Sequence, residues 1–182
     1  RILALMRRGY TALEYRQKIQ ALRAVRPGIS VATDFIVGFP GETDADFRDT
    51  MKLIEQVGFS GSFSFKYSPR PGTPAAEMDE QIPEDVKSER LRELQDLIDR
   101  QQAAFNRGCV GRTLDVLFEK TGRHPGQIVG KSPYLQPVQV IAPTSLIGSI
   151  ASVTIVDTGS YSLFGTLSQQ PETMPRATEF AA

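Results

Sequence analysis

Asp34-Phe35-Ile36-Val37-Gly38-Phe39-Pro40-Gly41-Glu42-Thr43 reads as a strand that runs into a tight turn and then a helix. Residues 29–39 are rich in β-branched and aromatic side chains, which favour a buried strand. Gly38, Pro40 and Gly41 punctuate its end. Thr43, with Asp46 three positions on, supplies a helix N-terminus. Phe47, Met51 and Ile54 give that helix one apolar stripe, and Gly58 ends it. In parallel α/β folds ligands gather at the carboxyl ends of strands, so this turn is a candidate site.

Upstream, residues 2–7 read as the end of a helix that closes at Gly9, a plausible C′ residue. Thr11-Ala12-Leu13-Glu14 is a capping box, and the helix after it carries Tyr15, Ile19 and Leu22 on one face. Pro27-Gly28 stops it. Downstream, a second strand spans about 59–67, where Phe59, Phe63, Phe65 and Tyr67 alternate with Ser60, Ser62, Ser64 and Lys66. Pro83 opens a long helix with Glu84 and Asp85 in its first turn. Leu91, Leu94, Leu97, Ile98 and Phe105 form the inward face, and Gly108 is the stop. The alternation of helix and strand predicts a parallel α/β layer over residues 1–108. Two parallel strands with three helices cannot close a barrel or bury both sheet faces. Further strands are therefore expected beside these, and the start at Arg1 rather than methionine fits a chain that begins inside a longer one.

From about residue 109 the helical period disappears. Short strand-like runs follow at about 113–119, 126–131, 136–141, 150–157 and 161–167, separated by turn clusters such as Thr121-Gly122-Arg123 and Asp157-Thr158-Gly159. They predict a small barrel of the OB type over residues 109–167. Residues 168–182 have no period and are expected to form a disordered tail.

The 182 residues carry 21 basic and 21 acidic side chains, so no global charge draws the chain to nucleic acid; any such contact must be a local patch. A hydrophobic content of 40% supports a core. The single cysteine, Cys109, excludes an intrachain disulfide and a cysteine-held iron–sulfur cluster built from this chain alone. It reads as a structural thiol, and the scarcity of thiols fits a reducing cytosol. No apolar run approaches the ~20 residues that span a bilayer, and the N-terminus carries no signal pattern.

If Phe35, Val37 and Phe39 face the helices, the pleat sends Ala32, Asp34, Ile36 and Gly38 toward a barrel interior. The same phase in the second strand sends Ser60, Ser62, Ser64 and Lys66 there. Small and polar residues at that position imply room for a ligand, and Gly38 and Gly41 let a flat one approach the backbone. A sharp strand-to-helix turn with no ligand satisfies the same composition. Arg70, past the second strand, offers a planar fork for a carboxylate or phosphate, or else a loop salt bridge. In the β-domain Arg112, Lys120, Arg123 and Lys131 make a modest basic set, to be weighed against an ordinary solvated surface. Lys120 and Arg123 flank a turn, where cations reach phosphates. Tyr134 offers a ring for base stacking. Phe118 alternates with Leu114 and Val116 and reads as core, and His124 reads as an exposed loop residue.

The Asp34–Thr43 stretch resembles the fifth-strand motif of the radical S-adenosylmethionine methylthiotransferases. Two further runs agree in the same order: Leu5-Met6-Arg7-Arg8-Gly9-Tyr10-Thr11 before it and Tyr67-Ser68-Pro69-Arg70-Pro71-Gly72-Thr73-Pro74-Ala75 after it. Residues 110–167 resemble the family's C-terminal TRAM domain. Arg7 to Thr11 and Ser68 to Thr73 look more like the tRNA-modifying branch than the ribosomal-protein branch, which shares the Gly38-Phe39-Pro40-Gly41 turn. The resemblance implies an α/β fold: the C-terminal part of a partial TIM-like radical-SAM barrel, followed by a small all-β TRAM (OB-like) barrel. It implies an enzyme that adds a methylthio group to C2 of an isopentenylated adenosine beside the anticodon. By analogy Ile36 and Gly38 line the adenine side of S-adenosylmethionine, and Asp34 sits deeper on the same face. Arg70 pairs with the cofactor carboxylate or an RNA phosphate, while Arg112, Lys120, Arg123 and Lys131 grip RNA. The family's cofactors are S-adenosylmethionine and two 4Fe-4S clusters. Its partners are the tRNA anticodon stem-loop and an electron donor, with no membrane, a monomeric state and a cytoplasmic location expected.

The chain departs from the family in lacking the three-cysteine motif and the auxiliary-cluster domain. Alone, it is expected to be unstable and to bind no iron. Two other readings stay open. One is the ribosomal-protein branch, acting on a protein aspartate; the other is a non-catalytic RNA-binding module.

Overall fold

Two capping boxes anchor the helical part of the chain. In this computed structural model, which describes residues 1–168, Thr11 and Glu14 cap α2 (Ala12–Val25), and Thr43 and Asp46 cap α3 (Asp44–Val57). Each threonine oxygen accepts the N–H three residues on, while the acid reaches back to the threonine N–H, so two orphan donors are satisfied at each helix start. Between the two helices lies β1 (Ala32–Val37), and after α3 comes β2 (Gly61–Lys66). A short helix, α1 (Ile2–Leu5), precedes them, and α4 (Glu84–Arg107) follows. The chain divides into two compact units, one covering Arg1–Phe105 and a second beginning at Asn106.

In the first unit β1 and β2 pair in parallel, with Ala32 opposite Gly61 and Val37 opposite Lys66. The helices cover one face of this two-stranded sheet. Ile19 of α2, Phe47, Met51, Ile54 and Val57 of α3, and Leu94, Leu97 and Ile98 of α4 pack with Val37 and Phe59, with Phe35 at the margin. Phe35 meets Phe59 edge-on at 5.4 Å between ring centroids, a geometry favoured by the ring quadrupoles. Each such fully buried apolar side chain stabilises by about 1.5–3 kcal/mol.

The opposite face is bare, and the pleat of β2 differs from the sequence expectation. In-register parallel partners share a face, so Phe63 and Phe65, opposite Asp34 and Ile36, stand on the open side, 73% and 53% exposed. Ser62 and Ser64 take the covered face, with their hydroxyls 2.9 Å apart, and Lys66 turns to Glu84 and Ser88 of α4. The alternation breaks before the strand, so that Phe59 and Ser62, three positions apart, both face the helices. Phe59 is pinned in the core while its N–H donates to Gln101 and that of Ser60 to the Val31 carbonyl. The alternation restarts at Gly61. A second correction concerns α1, which ends at Leu5, with Arg7 rather than Gly9 in the left-handed region (φ 55°).

The second unit is a closed five-stranded barrel. Its strands are β3 (Thr113–Thr121), β4 (Gln127–Lys131), β5 (Pro137–Ile141), β6 (Ile150–Thr158) and β7 (Leu163–Leu167), in spatial order β3-β4-β5-β7-β6 with β6 returning to β3. All neighbours are antiparallel except β5 and β7, which run parallel. This is the Greek-key closure of the OB type, which leaves no open sheet edge. Alternate residues fill the interior: Leu114, Val116, Phe118, Ile128, Val138, Val140, Val153, Ile155 and Leu163 are all buried. Phe118 is thereby a core residue. A bulge between Phe118 and Lys120 shifts the register of β3. The proposed tail falls, apart from Ser168, outside the described residues.

Candidate functional site

The turn after β1 is held from within. Residues 37–42 are all buried, and Gly38 takes φ +71°. Glu42 folds back so that its Oε1 accepts the Gly38 N–H at 3.1 Å. The same oxygen accepts from Arg90 Nη1 of α4 at 2.9 Å, and Arg90 Nη2 donates to Asp44 at 2.6 Å. Glu42 is only 5% exposed. Burial pushes its carboxyl above the ordinary range, against the Gly38 N–H and the Arg90 charge, which favour the anion. Gly38 is required twice over: by its positive φ, and because a Cβ would run into the side chain of Lys87. The space over this glycine is filled by lysine methylenes. Lys87 continues toward the Tyr67 ring and carbonyl, and Phe39 meets Tyr67 edge-on at 5.2 Å. The Tyr67 hydroxyl is buried with no hydrogen-bond partner among the described residues.

Asp34 and Ile36 lie on the open face of β1, with Ile36 38% exposed. Both line a cleft of about 520 Å³ bounded by α1, the start of α2, β1 and α3, with Tyr10, Tyr15, Arg8 and Asp49 among its walls. That volume falls within the ~300–1,000 Å³ of small-molecule sites. Arg1 bridges the rim, donating to the Gly41 carbonyl at 2.6 Å and to Asp46. Hydrogen bonding to Arg1, ahead of that to Thr43, holds the Asp46 carboxyl at about 2. Gly38 and Arg70 are not among the cleft residues. Arg70 lies exposed in the loop after β2, and its guanidinium makes no hydrogen bond or ion pair among the described residues. The structure thus brings together Asp34 and Ile36, places Gly38 behind them under Lys87, and leaves Arg70 apart.

On the barrel the four cations do not form one cluster. Arg112 stands before β3 and donates to the Tyr134 hydroxyl at 2.7 Å with its guanidinium 5.5 Å from the ring centroid. That hydrogen bond raises the Arg112 pKa. Lys120 and Lys131 share the outer face of β3 and β4, opposite Val129 and Leu117 respectively. Arg123 and His124 sit exposed in the turn between these strands. The turn is tied down by Gln127, whose Oε1 accepts from the Arg123 N–H at 3.0 Å. A Cβ at Gly122 would collide with that side chain, so glycine is needed for the close approach.

Residues 107–168 match the family model of the TRAM domain. The match and the closed five-stranded barrel agree, and they support an RNA-binding role for this unit. Ligand contact in barrels of this type falls on the second and third strands with the first and fourth interstrand loops. In the TRAM barrel these are β4 and β5, the β3–β4 turn, and the β6–β7 loop. This draws in residues that sequence reasoning passed over: Gln139, Ile141, Tyr161 and Ser162. Their signal was weak, because strand order, which makes β7 a neighbour of β5, cannot be read from spacing. The β3–β6 side has another character: Ser152 donates to Asp115, and Thr113 pairs with Thr154. An acid and neutral hydroxyls do not attract phosphate, so the strand cations Lys120 and Lys131 stand on the β3–β4 side, where Glu119 is the neighbouring acid.

Proposed function

We propose that the chain is the C-terminal part of a radical S-adenosylmethionine methylthiotransferase, nearest to the tRNA-2-methylthio-N6-dimethylallyladenosine synthase type. In this reading the first unit contributes two barrel strands beside the cofactor, and the TRAM barrel holds the tRNA anticodon stem-loop. The observation that carries it is the bare face of β1 and β2. A parallel pair with helices on one side presents Ile36, Phe63 and Phe65 outward beside Asp34, whereas parallel sheets are normally covered on both faces.

Of the expected residues, Asp34 and Ile36 fit one wall of an S-adenosylmethionine site, while Gly38, Tyr67 and Arg70 lie outside that cleft. Ile36 offers an apolar contact for a nucleobase and Asp34 a carboxylate for a polar group on the same face. Arg70, outside the cleft, is free to meet a carboxylate or a phosphate. They do not fit an iron–sulfur cluster, because Cys109 is the single cysteine and it is buried in the second unit. The clusters would supply the reductive and sulfur-donating chemistry. This chain's part is to bind, orient and hold the RNA while the target base turns out of its loop.

The test is mass spectrometry of tRNA and of ribosomal proteins from a strain in which the gene is deleted. Loss of 2-methylthio-adenosine is expected. Unchanged tRNA with loss of a modified ribosomal-protein aspartate moves the assignment to the other branch, and no change in either sinks it. A second reading, an RNA-binding module without chemistry, is favoured by one observation: the TRAM barrel closes on its own core.

A further inference from the structure

A one-way relay of side-chain amides crosses the outer face of β4 and β5. It begins at the β3–β4 turn, where Gln127 Oε1 accepts from the backbone N–H groups of Arg123 and His124 at 3.0 and 3.4 Å. An amide that offers its oxygen on one side has only N–H to offer on the other. Gln127 Nε2 therefore donates to Gln139 Oε1 at 2.9 Å, and Gln139 Nε2 donates in turn to Ser162 Oγ at 3.0 Å. The two backbone donors, whose direction is not open to choice, set the orientation of every group after them. Ser162 ends the relay as an acceptor. Its own hydroxyl proton has no acceptor among the described residues.

The surroundings of that proton are defined by the register. Val138 pairs with Leu163 and Gln139 with Phe164, so Ser162 and Tyr161 stand beside the start of β5. Lys131 lies opposite Pro137, one residue before that pair, with β5 between it and the β6–β7 loop. Lys120 occupies the next row, through Val129 to Gln139. Tyr161, 63% exposed, is a free aromatic surface at the loop tip. A donor hydroxyl, an exposed ring and two cations thus lie on the side of the barrel away from Asp115, with two exposed acids at its margins, Glu119 beside Lys120 and Asp157 opposite Phe164.

We infer that the β6–β7 loop is a subsite for one unpaired nucleotide of single-stranded RNA, with the relay from Gln127 through Gln139 fixing Ser162 as a hydrogen-bond donor to an acceptor on the base edge. Tyr161 stacks on the base, and Lys131 and Lys120 take the flanking phosphates. The inference rests on the RNA-binding reading of the TRAM barrel and adds to it a base-reading residue and the positioning residues behind it.

The test is fluorescence anisotropy of the 182-residue chain with a labelled single-stranded RNA of about ten nucleotides and with its abasic counterpart, each at several salt concentrations. The base-bearing RNA is expected to bind about tenfold more tightly than the abasic one. Tyr161→Ala removes that advantage, leaving abasic binding and the salt slope unchanged, since stacking releases no counterions. Ser162→Ala and Gln139→Leu each lose several-fold on the base-bearing RNA alone. Lys131→Ala weakens both RNAs and lowers the salt slope by about one phosphate contact. Tyr161 is exposed, so its substitution leaves the fold intact whatever Gln139→Leu does. Wild-type binding that is unaffected by Tyr161→Ala and Gln139→Leu overturns the subsite and leaves the RNA-binding reading standing. Absence of wild-type binding at low salt overturns both.

Discussion

Glu42 turns its carboxylate inward, onto the backbone of the strand end that it follows. Its partner, Arg90, is 48 positions away in sequence, and both side chains are almost fully buried. Removing one member of such a pair leaves an uncompensated charge, so Arg90→Ala is expected to cost the first unit about 3–5 kcal/mol in urea denaturation. The double variant Glu42→Gln/Arg90→Met should recover much of that loss, since it leaves no buried unpaired charge and the Asp44 carboxylate it releases is exposed to water. Two carboxylates near the turn act in opposite directions with pH. Asp46, lowered from its ordinary 3.8 to about 2, contributes stability above its unfolded value that is lost as pH falls toward 2. Glu42 is raised, so its contribution is present at low pH and declines as pH rises through its folded value. Replacing Asp46 with Asn should therefore flatten the acid limb of the stability curve between about pH 4 and pH 2. Thr43 and Asp46 were legible in the sequence because a capping box is complete within four residues. The Glu42–Arg90 clamp was not, because nothing local marks which distant cation will reach back.

At the scale of elements, β2 separates what alternation can say from what it cannot. Period two identified the strand, but the alternation does not carry through from Phe59: that ring is buried in the core, while Phe63 and Phe65, at the same parity, take the open side through their register with Asp34 and Ile36. The result places Phe63 and Phe65 outside and two serines inside. Phe63→Ser is expected to change stability by no more than about 0.5 kcal/mol, whereas Phe59→Ala, at 2% exposure, should cost about 3–5 kcal/mol. Chemical denaturation of the two variants side by side decides the pleat. If Phe63→Ser is the more damaging, the observed register is wrong. Both long amphipathic helices after β1 were readable from their apolar stripes, since Phe47, Met51 and Ile54, and Leu94 and Ile98, recur at helical spacing and are buried in one core.

For the molecule as a whole, balanced charge hid where the TRAM barrel's cations stand, because composition averages Lys120 and Lys131 against acids both elsewhere and in the barrel itself, Asp115, Glu119 and Asp157 among them. The five strands of that barrel stood out from their even spacing, yet their neighbours did not, since every pairing but the two hairpins β3–β4 and β4–β5 and the β6–β7 turn joins distant segments. Ile128 is fully buried at the centre of that core. Ile128→Ala should lower barrel stability by about 2–5 kcal/mol, measured as faster amide exchange across β3–β7.

The barrel's single parallel pairing, between β5 and β7, governs the order of its assembly. Hairpins β3–β4 and β4–β5 need only a few linking residues and can zip as soon as they are made. The last seam joins Val138–Val140 to Leu163–Gly165 across the whole of β6. A ribosome must therefore have extended the chain past Leu163 before the cylinder can shut, and until then β5 and β6 each offer an unpaired rim to any passing strand.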